Sequence, residues 1–113
     1  MNVLTEELQR RFSENGYHVF LVDGKQIHNK TSFLKAVAKT FNFPDYFGMN
    51  WDALNDCITD STLFSNKGAL IVFSDSGQFR LSANDDWQTA INIFLDAADF
   101  WKAKGKDFYL LLV

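Results

Sequence analysis

The chain has 113 residues, of which 47% are hydrophobic and 22% charged, with one proline and a net charge of -3. This balance excludes a largely disordered protein, and the length suits one compact domain that buries a core without metal or disulfide support. The single cysteine, Cys57, excludes an internal disulfide and fits a reducing compartment.

The opening stretch, Met1 to Arg11, is amphipathic rather than a charged end followed by an apolar run, so it does not read as a signal sequence. Leu4, Leu8 and Phe12 recur at helical spacing, and Asn15-Gly16 should end a first helix. Tyr17 to Val22 reads as a strand closed by the turn pair Asp23-Gly24. Thr31 is the expected N-cap of a second helix that places Phe33, Leu34, Val37, Ala38 and Phe41 on one side and stops before Pro44.

Asn42 to Met49 is expected to be an aromatic loop, because Pro44 disfavours helix at Phe43 and Gly48 permits backbone angles that larger residues resist. Asn50 can cap a short helix running to about Thr59. After Gly68, the run Ala69 to Phe73 has the continuous apolar character of a strand covered on both faces. Ser74 to Leu81 reads as a turn with a short helix.

Ala83 to Lys104 is the longest predicted helix, capped by Asn84 and ended by Gly105, with Trp87, Ile91, Phe94, Ala98 and Trp101 near one face. Phe108 to Val113 is the last strand. Three buried strands separated by helices predict an α/β fold with a small three-stranded parallel sheet. No apolar run approaches the ~20 residues that span a bilayer. A soluble, cytoplasmic protein is therefore expected, with no membrane attachment.

Charge is unevenly placed. Between Lys39 and Lys67 there is no basic residue, yet Asp45, Asp52, Asp56 and Asp60 lie there, so this stretch sums to -4 while the remaining eleven basic and ten acidic residues sum to +1. Asp52, Asp56 and Asp60, four apart, would line one helix face, opposite Ala53, Leu54, Cys57 and Ile58. Like charges at this spacing repel by roughly 0.2–0.5 kcal/mol per pair, which a helix chosen for stability alone would avoid. An ordinary solvated face is the plainer reading of the spacing. Tyr46, Phe47 and Trp51 argue for an interface instead, since rings beside carboxylates supply contact area where charges steer encounter.

The segment Phe43-Pro44-Asp45-Tyr46-Phe47-Gly48-Met49-Asn50-Trp51-Asp52-Ala53-Leu54-Asn55-Asp56-Cys57-Ile58-Thr59 resembles the signature of the barstar family, intracellular inhibitors of secreted ribonucleases. The similarity extends more loosely over Val22 to Ile27, Phe94 to Ala97 and Gly105 to the end, so residues 17–113 form the barstar-like domain and residues 1–16 an N-terminal helical extension. The resemblance implies a three-stranded parallel sheet packed with helices, and inhibition by plugging a basic, barnase-like nuclease one-to-one, with carboxylates standing in for RNA phosphates. Tyr46, Gly48, Asn50, Asp52 and Asp56 align with family contact residues, Asp56 with the carboxylate that enters the enzyme's phosphate pocket, and Asp96 with a second acidic contact. With Phe47, Trp51, Asn55 and Asp60 these make up the expected partner-binding surface.

The chain departs from the family pattern in four places. Asn55 stands where a tryptophan is usual, and Trp51 where an aliphatic residue is. The 60–67 segment lacks an expected tryptophan, and the long helix carries extra residues around Ala98 to Trp101. The redistributed aromatics raise an alternative, a module of the same fold that binds a non-nuclease protein. A metal-dependent phosphoryl enzyme using Asp52, Asp56, Asp60 and Asp96 lacks a basic residue for substrate and an evident general base, so neither an enzyme nor a cofactor or metal is expected. His18 and His28 have no metal-ligand spacing, and Cys57 reads as a buried packing thiol rather than a nucleophile. Lys102, Lys104 and Lys106 compensate a helix C-terminus rather than bind nucleic acid. Free in solution, a monomer is expected.

Overall fold

Strand β2 (Gly68–Ser74) is buried along its length up to Ser74, as a central strand covered on both faces must be. The computed structural model, which describes residues 3–113, pairs β2 in parallel with β1 (Tyr17–Asp23) on one side and β3 (Asp107–Leu112) on the other. The register runs from Tyr17 against Gly68 to Asp23 against Ser74, and from Gly68 against Asp107 to Phe73 against Leu112. Five helices surround this sheet: α1 (Val3–Glu14), α2 (Lys30–Thr40), α3 (Trp51–Ile58), α4 (Gly77–Ser82) and α5 (Asn84–Ala103). A single 3₁₀ turn, Gly24–Gln26, follows β1. Among the described residues no helix is long and apolar enough to cross a membrane.

The main core lies on one face of the sheet. Phe20 and Val22 from β1, Ala69, Ile71 and Phe73 from β2, and Phe108 from β3 meet the buried sides of the helices. Phe33 of α2, at 0% exposure, is the hub: the rings of Trp51, Phe73, Phe79 and Phe94 lie within 5.2 to 6.2 Å of its own. Helix α5 buries Trp87, Ala90, Phe94, Ala97 and Trp101, while Ile91 and Ala98 are only half-buried at the margin of the stripe.

The opposite face is smaller, and α1 lies against it. Phe12 sets its ring edge-on to Tyr17 at 5.0 Å and to Tyr109 at 6.0 Å. The Tyr17 hydroxyl donates to Asp107 Oδ2 at 2.7 Å, tying β1 to β3. Along α1, Glu7 pairs with Arg10 and Arg11, and Arg10 also reaches Glu14. Met1 and Asn2, the first residues of the expected extension and of the amphipathic opening stretch, lie outside the described residues.

Some expectations need correction. The edge strands are half-buried rather than buried: Leu21 and Tyr109 are 49% and 46% exposed, because α1 covers only part of the second face. Helix α2 begins earlier than the Thr31 cap predicts. Asn29 caps it in a reciprocal box, accepting from Ser32 N while Ser32 Oγ accepts from Asn29 N. Asn84 does not cap α5 but is its first residue, with Ala83 at the N-cap and no side-chain cap bond. Gly16 and Gly105, as expected, take left-handed angles after α1 and α5.

Candidate partner-binding surface

The loop between α2 and α3 is anchored by two rings and presents a third. Asn42 turns the chain with a left-handed φ of 53°, and Phe43 N then donates back to Ala38 O at 2.9 Å. Phe43 packs between Phe41, at 5.6 Å, and Phe47, at 5.0 Å, so both loop phenylalanines hold the segment onto the core. Phe47 N donates to Pro44 O at 2.9 Å, closing a tight turn with Asp45 and Tyr46 at its tip. Tyr46 is 85% exposed. The turn thus holds an open aromatic ring in a fixed place at the surface.

Gly48 does not supply the unusual backbone angle expected of it. Within this loop the left-handed residues are Asn42 and Met49, the latter with φ of 52°. Gly48 instead makes room: a Cβ there would sit 3.1 Å from Asn50 Nδ2, the atom that donates to Gly48 O at 3.2 Å. Asn50 Oδ1 accepts from Ala53 N at 2.8 Å and caps α3. Asn50 is thus the structural lock between loop and helix, with both ends of its amide in use.

Helix α3 buries Leu54 and Ile58 completely and leaves Asp52, Asn55 and Asp56 exposed. Asp52, in the first turn, is favoured by the helix dipole. The expected row of three carboxylates is shorter by one, because α3 ends at Ile58 and Asp60 lies beyond it. There Asp60 Oδ1 accepts from Thr62 N at 2.8 Å and from Thr62 Oγ1 at 2.6 Å, and these bonds hold its carboxyl below the ordinary carboxylate range. Trp51 is half-buried, tilted against Phe33 at 6.0 Å, with Lys30 Nζ 5.3 Å from its ring centroid. Its indole is mostly packing. Asp96 is exposed on α5, the helix that packs on α3 and is joined to it by Trp101 Nε1 donating to Ile58 O at 3.0 Å.

The charges on this surface are not neutralised from within. Among the described residues the ion pairs all lie inside α1, so no lysine or arginine comes within pairing distance of Asp45, Asp52, Asp56, Asp60 or Asp96. The nearby lysines are engaged otherwise. Lys104 lies over Phe100, and Lys106 over Phe64 and Trp101, so the basic cluster after α5 spreads onto aromatic faces. No described carboxylate, imidazole and thiol groups converge as a metal site.

One feature was not legible in the sequence. A cleft of about 610 Å³ opens between β1, the end of α2 and the loop, and Cys57, Tyr46 and Asp60 share its lining with His18. Cys57 is therefore half-buried at a cavity wall rather than wholly packed. Burial, then the Asp60 and Asp56 charges, push its thiol pKa up, which makes it a poor nucleophile. His18 is exposed and stacks flat on Phe20 at 4.0 Å. Only the two-residue strand period could have placed these rings side by side.

The three-stranded parallel sheet with its helices agrees with one comparison. The family model described as barstar (barnase inhibitor) matches residues 17–113, from the start of β1 through the end of the chain. The chain belongs to the barstar family. Barstar family proteins are inhibitors rather than enzymes and bind a ribonuclease. Helix α1 lies outside the span matched to barstar. Among curated proteins, none matches the chain.

Proposed function

We propose that this protein is a cytoplasmic inhibitor of a basic ribonuclease, which it blocks one-to-one by filling the active-site cleft with the surface formed by the loop and α3. The observation that carries this reading is that Asp52 and Asp56 stand exposed on one face of α3, paired with no cation among the described residues, and that the ring of Tyr46 stands open on the loop that leads into that helix. A ribonuclease presents Arg, Lys and His to a scissile phosphate. Carboxylates held on a short capped helix can meet those groups through charge-assisted hydrogen bonds, as phosphates do, with little ordering left to lose on binding. Asp56 enters the phosphate pocket in this reading, with Tyr46, Asp52 and Asn55 around it and Asp96 at the flank. The tied-down Asn50 and Gly48 act by holding the loop in shape.

The alternative role, a module for a non-nuclease partner, drew its support from the redistributed aromatics. Trp51 packs on Phe33 under Lys30 and adds little new surface, which weakens that case. The deciding experiment mixes the purified protein with guanyl-preferring ribonucleases and measures RNA cleavage. Stoichiometric loss of cleavage supports the proposal, whereas full activity of every nuclease at micromolar protein would overturn it.

A further inference from the structure

The cleft beside the loop has walls, charge and position that together specify a ligand class. Its floor is the buried ring of Phe41, and its sides include His18 and Phe43, so flat aromatic surfaces line much of it. Asp60 stands on the rim with its carboxylate oriented: both Thr62 bonds fall on Oδ1, and no described donor is bonded to Oδ2. No lysine or arginine lines the cavity. Asp60 is the acidic group of the lining, so the negative charge at the cleft is that of its carboxylate.

Aromatic faces beside a fixed carboxylate attract cations and repel phosphate. Of the common cations, a guanidinium suits flat, partly apolar walls better than an ammonium, since it is planar and weakly hydrated and can bond a carboxylate oxygen while stacking on a ring. Tyr46 belongs both to the lining of the cleft and to the exposed tip of the acidic surface, so the cavity opens on the side that a bound nuclease would cover.

We infer that this cleft is a receptor for a guanidinium group, and that in the inhibited complex it takes an arginine side chain of the nuclease lying outside the catalytic pocket. The second half rests on the proposed function; the first does not. The test titrates the labelled full-length protein with N-acetyl-arginine amide and with N-acetyl-citrulline amide, its neutral planar counterpart, followed by nuclear magnetic resonance. Saturable shifts at Phe43, Cys57 and Thr62 are expected, with the arginine compound bound at least about fivefold more tightly. Asp60→Asn, which keeps an oxygen for the Thr62 bonds, should erase that preference while leaving the spectrum folded, and should weaken nuclease inhibition by about the same factor. Equal binding of the two amides, or shifts confined to Asp52 and Asp56, overturns the receptor. Undiminished inhibition by Asp60→Asn, against a nuclease that wild type does inhibit, overturns the nuclease arginine alone. If wild type inhibits nothing, the proposed function fails and the amide titration still decides the cleft.

Discussion

Asp56 and Asp60 are both acidic residues at the same spacing in the sequence, yet the fold gives them different duties. Asp56 is exposed on α3 and carries no internal cation, whereas Asp60 closes a turn onto Thr62. A carboxylate that becomes buried against cations of a partner leaves them uncompensated when it is removed, so Asp56→Ala is expected to weaken inhibition most, by about 3–5 kcal/mol. Tyr46→Ala and Asp52→Ala should follow with smaller losses. Inhibition constants measured for the three variants against one nuclease check this order, and an Asp56→Ala protein as potent as wild type would remove Asp56 from the phosphate pocket. The exposed residues of α3 were readable in advance because a 3.6-residue period assigns faces reliably. The end near Thr59 was also readable, but the place of Asp60 was not, since one residue past the cap its carboxylate turns back onto Thr62 instead of continuing the helical face.

Helix starts show the same contrast at the scale of an element. Asn50 was legible as a cap, because it follows a loop and precedes the apolar residues of α3. Asn29 was passed over for Thr31, as the box that Asn29 forms with Ser32 lacks the usual glutamate at the third position. Since Asn29 serves only α2, Asn29→Ala should cost about 1 kcal/mol of stability in denaturant unfolding and leave inhibition unchanged. Asn50→Ala should lower both, because its amide also holds Gly48 and the loop. Helix α1 has a different dependence. Glu7 is held down at about 2 by its hydrogen bonds to Arg10, then Arg11, so its contribution is present above the ordinary value of 4.5 and is lost as pH falls from there toward 2. The protection of α1 amides, taken relative to the intrinsic exchange rate at each pH, should therefore fall across that window while that of β2 is kept, and Glu7→Gln should abolish the pH dependence of α1. Protection lost equally in α1 and β2 would show that the helix does not loosen separately.

For the molecule as a whole, the alternation of apolar runs with helical periods was enough to give a parallel three-stranded sheet, and the run after Gly68 marked the strand that is covered on both faces. The half-burial of β1 and β3 was hidden because it depends on how far α1 reaches across the second face, a matter of packing between distant segments. Charge segregation, by contrast, was fully readable: residues 40–66 carry -4 and the rest +1. That asymmetry acts before contact. Fields from exposed aspartates extend over about 30 Å at 0.01 M salt and about 8 Å at 0.15 M, so encounter with a basic nuclease is guided from a distance only in dilute salt. Stopped-flow association should slow severalfold as salt rises across that range, while dissociation changes much less, since in the proposed complex the pairs made by Asp56 would be shielded from solvent. Asp45→Asn, at the rim of the loop, should reproduce part of the slowing without altering dissociation. Association that is indifferent to salt would mean that the acidic surface is not the face that meets the nuclease.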